Sequence, residues 1–176
     1  MSTGGAHTQQ RRIPREAERL RLRIYQDSQR RMRERYGFDL NATDALDRAR
    51  ALRGGQPLDA GAAVILAAVL ASRGDAAGAE AEARAAVEMD PQSARAHTSL
   101  ASLRSLNGDV AGALDHVRQA ATLDPADATV QYNLGLAEHA AGDARAARTA
   151  FHAAEELLAG RDPAATPVKH HWWQRG

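Results

Sequence analysis

Apolar residues recur at helical spacing along most of this chain. Ile13, Ala17, Leu20 and Ile24 fall on one side of a helical projection, and Leu22, Tyr25, Met32 and Tyr36 form a second stripe. Steps of three, four and seven residues mark a helix with a buried face, so a long helix is predicted from Pro14 to Tyr36. A second is predicted from Thr43 to Leu52. Downstream the pattern repeats on a longer scale. Gly-Asp occurs at Gly74-Asp75, Gly108-Asp109 and Gly142-Asp143, and each step is 34 residues. Asp90-Pro91 and Asp124-Pro125 keep the same spacing, as do Leu66, Leu100 and Leu134. So do Ala79, Ala113 and Ala147, and again Ala86, Ala120 and Ala154.

Each column has a physical task. Glycine ends the first helix of a pair, where the backbone must turn left-handed. The following aspartate caps the second helix by accepting from free N–H groups. Proline opens the next pair, where its missing donor costs nothing. The alanines mark helix crossings too close for a larger side chain.

On these columns the chain resembles the tetratricopeptide repeat family, whose unit is a helix pair of this length. The family's small residue of the first helix matches Ala67, Ala101 and Gly135, and the bulky residue of the second matches Ala83, Val117 and Phe151. Where an aromatic is common, this chain has Ala63, His97 and Gln131, and further on Leu70, Arg104 and Glu138. The resemblance implies an all-α solenoid of three helix pairs over residues 60–161. Residues 11–59 are expected to add the basic helix and a degenerate pair that caps the N-terminal end. Residues 1–10 are expected to be disordered, and 162–176 to form an aromatic tail.

Composition narrows the function. Cysteine is absent, which excludes disulfides, thiolate zinc sites and cysteine nucleophiles. No apolar run reaches the roughly 20 residues of a membrane span, and no secretory signal is apparent, so the expected location is the cytoplasm. The bias to alanine, and to arginine over lysine, suggests a GC-rich bacterial source. The net charge of +1 hides a division. Ten arginines face four carboxylates over residues 11–35, a net of +6, whereas 60–161 carries eight arginines and thirteen carboxylates, a net of −5. A basic arm joined to an acidic body points to an interaction, within the chain or with a partner. His97, His116, His139 and His152 are scattered, with His116 and His152 expected to face outward. No nucleophile elbow, phosphate loop or metal spacing is present, and the adjacent His170 and His171 lack a third ligand. No catalysis, cofactor or metal is expected.

A protein-binding scaffold, assembly factor or accessory subunit is therefore expected. The resemblance places Val64, Ala68, Ala71, Arg95, Thr98, Ser102, Ser105, Thr129, Tyr132, Leu136 and His139 on the concave surface. Of the positions that grip acidic chaperone tails, Asn133 alone fits, while Val64, Ala68, Thr98 and Thr129 do not, so that ligand is excluded. Partner contacts are expected from Arg95, Thr98, Ser102, Tyr132, Leu136 and His139 in the groove, and from Arg23, Tyr25, Arg30, Arg33 and Tyr36 on the arm. One apolar stripe of the arm would dock on the repeats and the other meet the partner. The repeats are expected to stay folded without residues 1–35. Trp172 and Trp173 would either cover the third pair, which lacks a following helix, or anchor in a partner. Two rival readings stand. The arm suits nucleic acid through phosphate contacts and stacking, and the chain suits a regulatory module of a separate enzyme.

Overall fold

The computed structural model describes residues 13–161. Among these residues there is no strand and there are eight helices: α1 Arg15–Tyr36, α2 Ala45–Gly55, α3 Ala60–Ser72, α4 Ala76–Met89, α5 Ala94–Leu106, α6 Val110–Leu123, α7 Ala128–Ala141 and α8 Ala144–Arg161. The segments 1–10 and 162–176, with Trp172 and Trp173, lie outside the described residues.

The repeat columns act as read. Gly74, Gly108 and Gly142 adopt φ of 83°, 83° and 99°, conformations that a side chain would penalise. Asp75, Asp109 and Asp143 accept from the amides of Gly78, Gly112 and Ala146, capping α4, α6 and α8. The prolines differ from expectation. Pro91 and Pro125 sit in the turns between repeats, and α5 and α7 begin three residues later, capped by Ser93 and Asp127. Asp90 and Asp124 close the preceding helices and accept from the amides of Gln92 and Ala126.

Three antiparallel pairs, α3–α4, α5–α6 and α7–α8, stack in order, with α3, α5 and α7 side by side on the inner face. Both alanine columns are at most 2% exposed, so the helix crossings hold no spare volume. Ile65, Val69, Leu100 and Val117 are the largest fully buried side chains, and α3 is buried on nearly every side. In the last pair Phe151 fills the gap left by Gly135, where an added Cβ would stand 2.5 Å from the ring.

The N-terminal helices do not form the expected pair. α2 packs on α3 at one end of the stack, but the backbone of α1 approaches α7 and α8 instead. Ala17, Leu20 and Ile24 share one cluster with Ala128 and Tyr132 of α7 and with Ala147, Phe151, Ala154 and Leu158 of α8. Further along, Met32 and Tyr36 pack against the cluster built by α2, α3 and α4. The physical reason is that the Ala17 stripe is complementary to the apolar face shared by α7 and α8, whereas α2 already packs on α3. The arm is thus a strap running from the last pair to the first. It covers Phe151 and Leu158, which are 3% and 6% exposed.

Candidate functional site

The strap crosses the inner face and is fastened along its length. Its first half buries Tyr132, which is 6% exposed and whose ring lies 5.9 Å from that of Phe151. In its middle, Ser28 Oγ and Thr129 Oγ1 share a hydrogen bond of 3.2 Å. Arg31 donates to the Asp127 carboxylate, to Thr129 Oγ1 at 2.7 Å, and pairs through Nε with Asp27 at 3.1 Å. At its end, the Tyr36 ring lies under the guanidinium groups of Arg35 and Arg95, at 5.5 and 6.0 Å. The Tyr36 hydroxyl occupies the place where any Cβ on Gly61 would sit, 2.1 Å away, so glycine there admits the strap to the start of α3. Gly37 then turns the chain at φ 60°, and its carbonyl accepts from Arg48.

Charge reinforces the central fastening. Burial alone would raise the pKa of Asp127, but hydrogen bonds and attraction from Arg31, with the amides of Thr129 and Val130, outweigh it and hold the carboxyl below its ordinary value. Burial likewise opposes the charge on Arg31, and Asp127 with Asp27 and Asp124 more than offsets it, raising its pKa. The basic arm therefore meets the acidic body within this one chain.

Beneath the strap a cavity of about 610 Å³ remains between α1, α3, α5 and the start of α7. Of the expected groove residues, Val64, Ala68, Ala71, Arg95, Thr98, Ser102 and Thr129 line it, and Asn133 lines it beside them. Thr98 is buried and donates to the carbonyl of Ala94, and Ser102 donates to Asn133 Oδ1 and to the carbonyl of Thr98. Tyr132 and Leu136 pack in the strap's own cluster, a correction to their reading as partner contacts. His139 is half-buried on α7.

On the arm, Tyr36 faces inward and Arg23 lines a recess beside Phe151 and His152. Arg30 and Arg33 are exposed, with Arg30 paired to Asp27. Tyr25 is 46% exposed and donates to Asn41, and Leu22 is 61% exposed. The two stripes thus separate as expected at Ala17–Ile24 against Leu22–Tyr25, but Met32 and Tyr36 belong to the docked side.

Sequence reasoning missed three polar contacts. His116 does not face outward: its Nδ1 lies 3.1 Å from Nδ1 of buried His97. Glu138, 5% exposed, takes Arg118 through Nε and Nη2 at 3.0 and 2.9 Å. Arg31 was not distinguished from its neighbours, although its four-residue spacing from Asp27 was visible. Among the described residues no cluster of three or more acidic, histidine or cysteine side chains could hold a metal, and no helix is long and apolar enough to cross a membrane.

Three stacked 34-residue helix pairs with these glycine turns and alanine crossings make this chain a tetratricopeptide-type α-solenoid. Comparison with solved structures agrees. TTC0263, a thermophilic TPR protein of Thermus thermophilus, is 18% identical with a TM-score of 0.59, over 81% of this chain and 91% of that one. One crystal structure of MamA is 17% identical with a TM-score of 0.54, over 72% of this chain and 69% of that one. Another is 14% identical with a TM-score of 0.55, over 85% and 98%. No protein-family model and no curated protein matches the chain. At these identities the likeness defines the fold.

Proposed function

We propose that the protein is an interaction scaffold, an accessory or assembly subunit of a bacterial cytoplasmic complex, whose partner binds the outer face of the strap. The observation that carries this reading is the division of α1. One face is consumed by the repeats, while Leu22 and Tyr25 stay exposed among Arg19, Arg21, Arg30 and Arg33. Exposed apolar side chains on a helix that also carries exposed arginines suit a protein interface. Tetratricopeptide architecture supports the same class of function, since stacked helix pairs present a long rigid surface. Regulation of a separate enzyme chain would be one form of this role.

Affinity purification of the full chain, beside Leu22→Glu and Arg33→Glu, tests it. A partner protein held by the wild type and lost by both variants is the expected result. The same exposed arginines suit nucleic acid. Binding to DNA or RNA that falls steeply with salt, with no protein partner, would replace the scaffold reading.

A further inference from the structure

The cavity beneath the strap has two chemically different ends. Helices α3, α5 and α7 run side by side in the same sense, so their first turns share one rim and their last turns the other. The far part of the wall is apolar, built by Ala68 and Ala71 of α3 and Leu103 of α5. At the first-turn rim stands Arg95. Its guanidinium makes no hydrogen bond or ion pair with any described residue and is met by the Tyr36 ring at 6.0 Å. Arg35, over the same ring, also lines the cavity.

Burial makes Arg95 a less stable cation, and the nearby charges of Arg31 and Arg35 add to that cost. Tyr36 and Asp127 offset that cost only in part. Asp127 is held by Arg31 and by two amides of α7, and Asp124 accepts from the amide of Ala126. A partly desolvated cation that makes no ion pair with a described residue, at one end of a recess whose far wall is apolar, is complementary to a molecule with one anionic head and an apolar body. The volume of about 610 Å³ lies within the roughly 300–1,000 Å³ of small-molecule sites. Ser28, Arg31, Met32 and Arg35 of the strap form one side of the recess and narrow the groove that an extended peptide would follow.

We propose that this cavity binds a small organic acid, its carboxylate paired with Arg95 and Arg35 and its apolar body against Ala68, Ala71 and Leu103. The bound acid ties the strap to α5, because Arg35 and Arg95 come from the two elements. The inference goes beyond the scaffold reading, and its failure leaves that reading untouched.

Calorimetric titration of the full chain with decanoate, kept below its micellar concentration, tests it. Saturable binding at one site is expected. The neutral analogue decanamide, and decanoate with Arg95→Met, should each bind about tenfold or more weakly, the loss expected for one charge-assisted contact. Ala68→Trp, which fills the apolar end and leaves both arginines in place, should also abolish binding, and circular dichroism confirms that each variant is folded. Absence of saturable decanoate binding would overturn the proposal. So would equal binding of decanoate and decanamide, or undiminished binding by folded Arg95→Met. A leucine-terminated peptide that binds through its free carboxylate where decanoate does not would assign the cavity to a protein terminus instead.

Discussion

Arg31 of the strap donates to the carboxylate of Asp127, the same carboxylate that accepts the amides of Thr129 and Val130 at the start of α7. One side chain thus caps an inner helix and fastens the arm across it, so that repeat order and strap position are coupled.

Replacement of either partner should loosen the strap. Asn caps a helix about as well as Asp, so Asp127→Asn removes the ion pair while leaving α7 its cap. Arg31→Met leaves the carboxylate partly buried and unpaired. Each should cost about 1–3 kcal/mol and speed tryptic cleavage at the strap arginines at neutral pH. Unchanged melting and cleavage in both would show that the pair does not hold the strap. The folded pKa of Asp127 lies below its unfolded value of about 3.9. The contribution is therefore complete above about pH 4 and is lost as pH falls through the folded value.

Deletion of residues 1–36 should destabilise the last repeat, contrary to the expectation that the repeats fold without the arm. Tyr132, Phe151 and Leu158, each at most 6% exposed, would lose their cover. The truncated protein should melt lower, bind a hydrophobic dye or aggregate, and a synthetic peptide of residues 13–36 should reverse this. A truncated protein with the melting temperature of the full chain would remove the strap from the fold's stability.

Gly135→Ala should be costly although alanine favours helix. The new Cβ would meet Phe151 Cε1 at 2.5 Å, and that ring is wedged among α7, α8 and the strap. Overpacking of this kind costs about 1–3 kcal/mol. Phe151→Leu in the same chain should recover part of the loss, because the smaller side chain frees the volume. Additive effects of the two substitutions in thermal melts would contradict direct contact.

The repeats were legible because their signals are local: a glycine, a capping aspartate and an alanine at a fixed interval each act on neighbouring helices. The need to cover Phe151 and Leu158 was legible too, since both are large apolar residues of the third pair. The sequence offers Trp172 and Trp173 or a partner as its cover, and the structure supplies that cover from Ala17, Leu20 and Ile24. That contact joins residues more than a hundred positions apart, and no periodicity announces it. The Arg31–Asp127 pair was hidden for the same reason, one arginine among ten in the arm. Glu138 was noticed as a departure from an aromatic column, but its partner Arg118 belongs to the preceding helix and is set by the crossing of α6 and α7.

His97 and His116 should make the second repeat sensitive to acid. Their Nδ1 atoms are 3.1 Å apart, and His97 Nε2 is 3.0 Å from the carbonyl of Pro91. A carbonyl only accepts, so His97 carries its proton on Nε2, its Nδ1 accepts, and His116 Nδ1–H donates. Two protonated rings would set N–H against N–H. Burial lowers the pKa of His116, and the charges of Arg104 and His97 lower it further, while Asp115 and Asp109 oppose them. A folded pKa below the unfolded value of about 6.5 means that this contribution is complete above that pH and is lost as pH falls through the folded value. The melting temperature should therefore drop as the pH falls below about 6.5 through the folded value of His116. The informative quantity is the difference between two proteins. His97→Phe combined with His116→Leu restores an aromatic to its column and removes the ring pair. Its melting temperature should fall less than that of the wild type over the same range. Equal pH dependence in the two proteins would show that the ring pair makes no contribution to acid sensitivity.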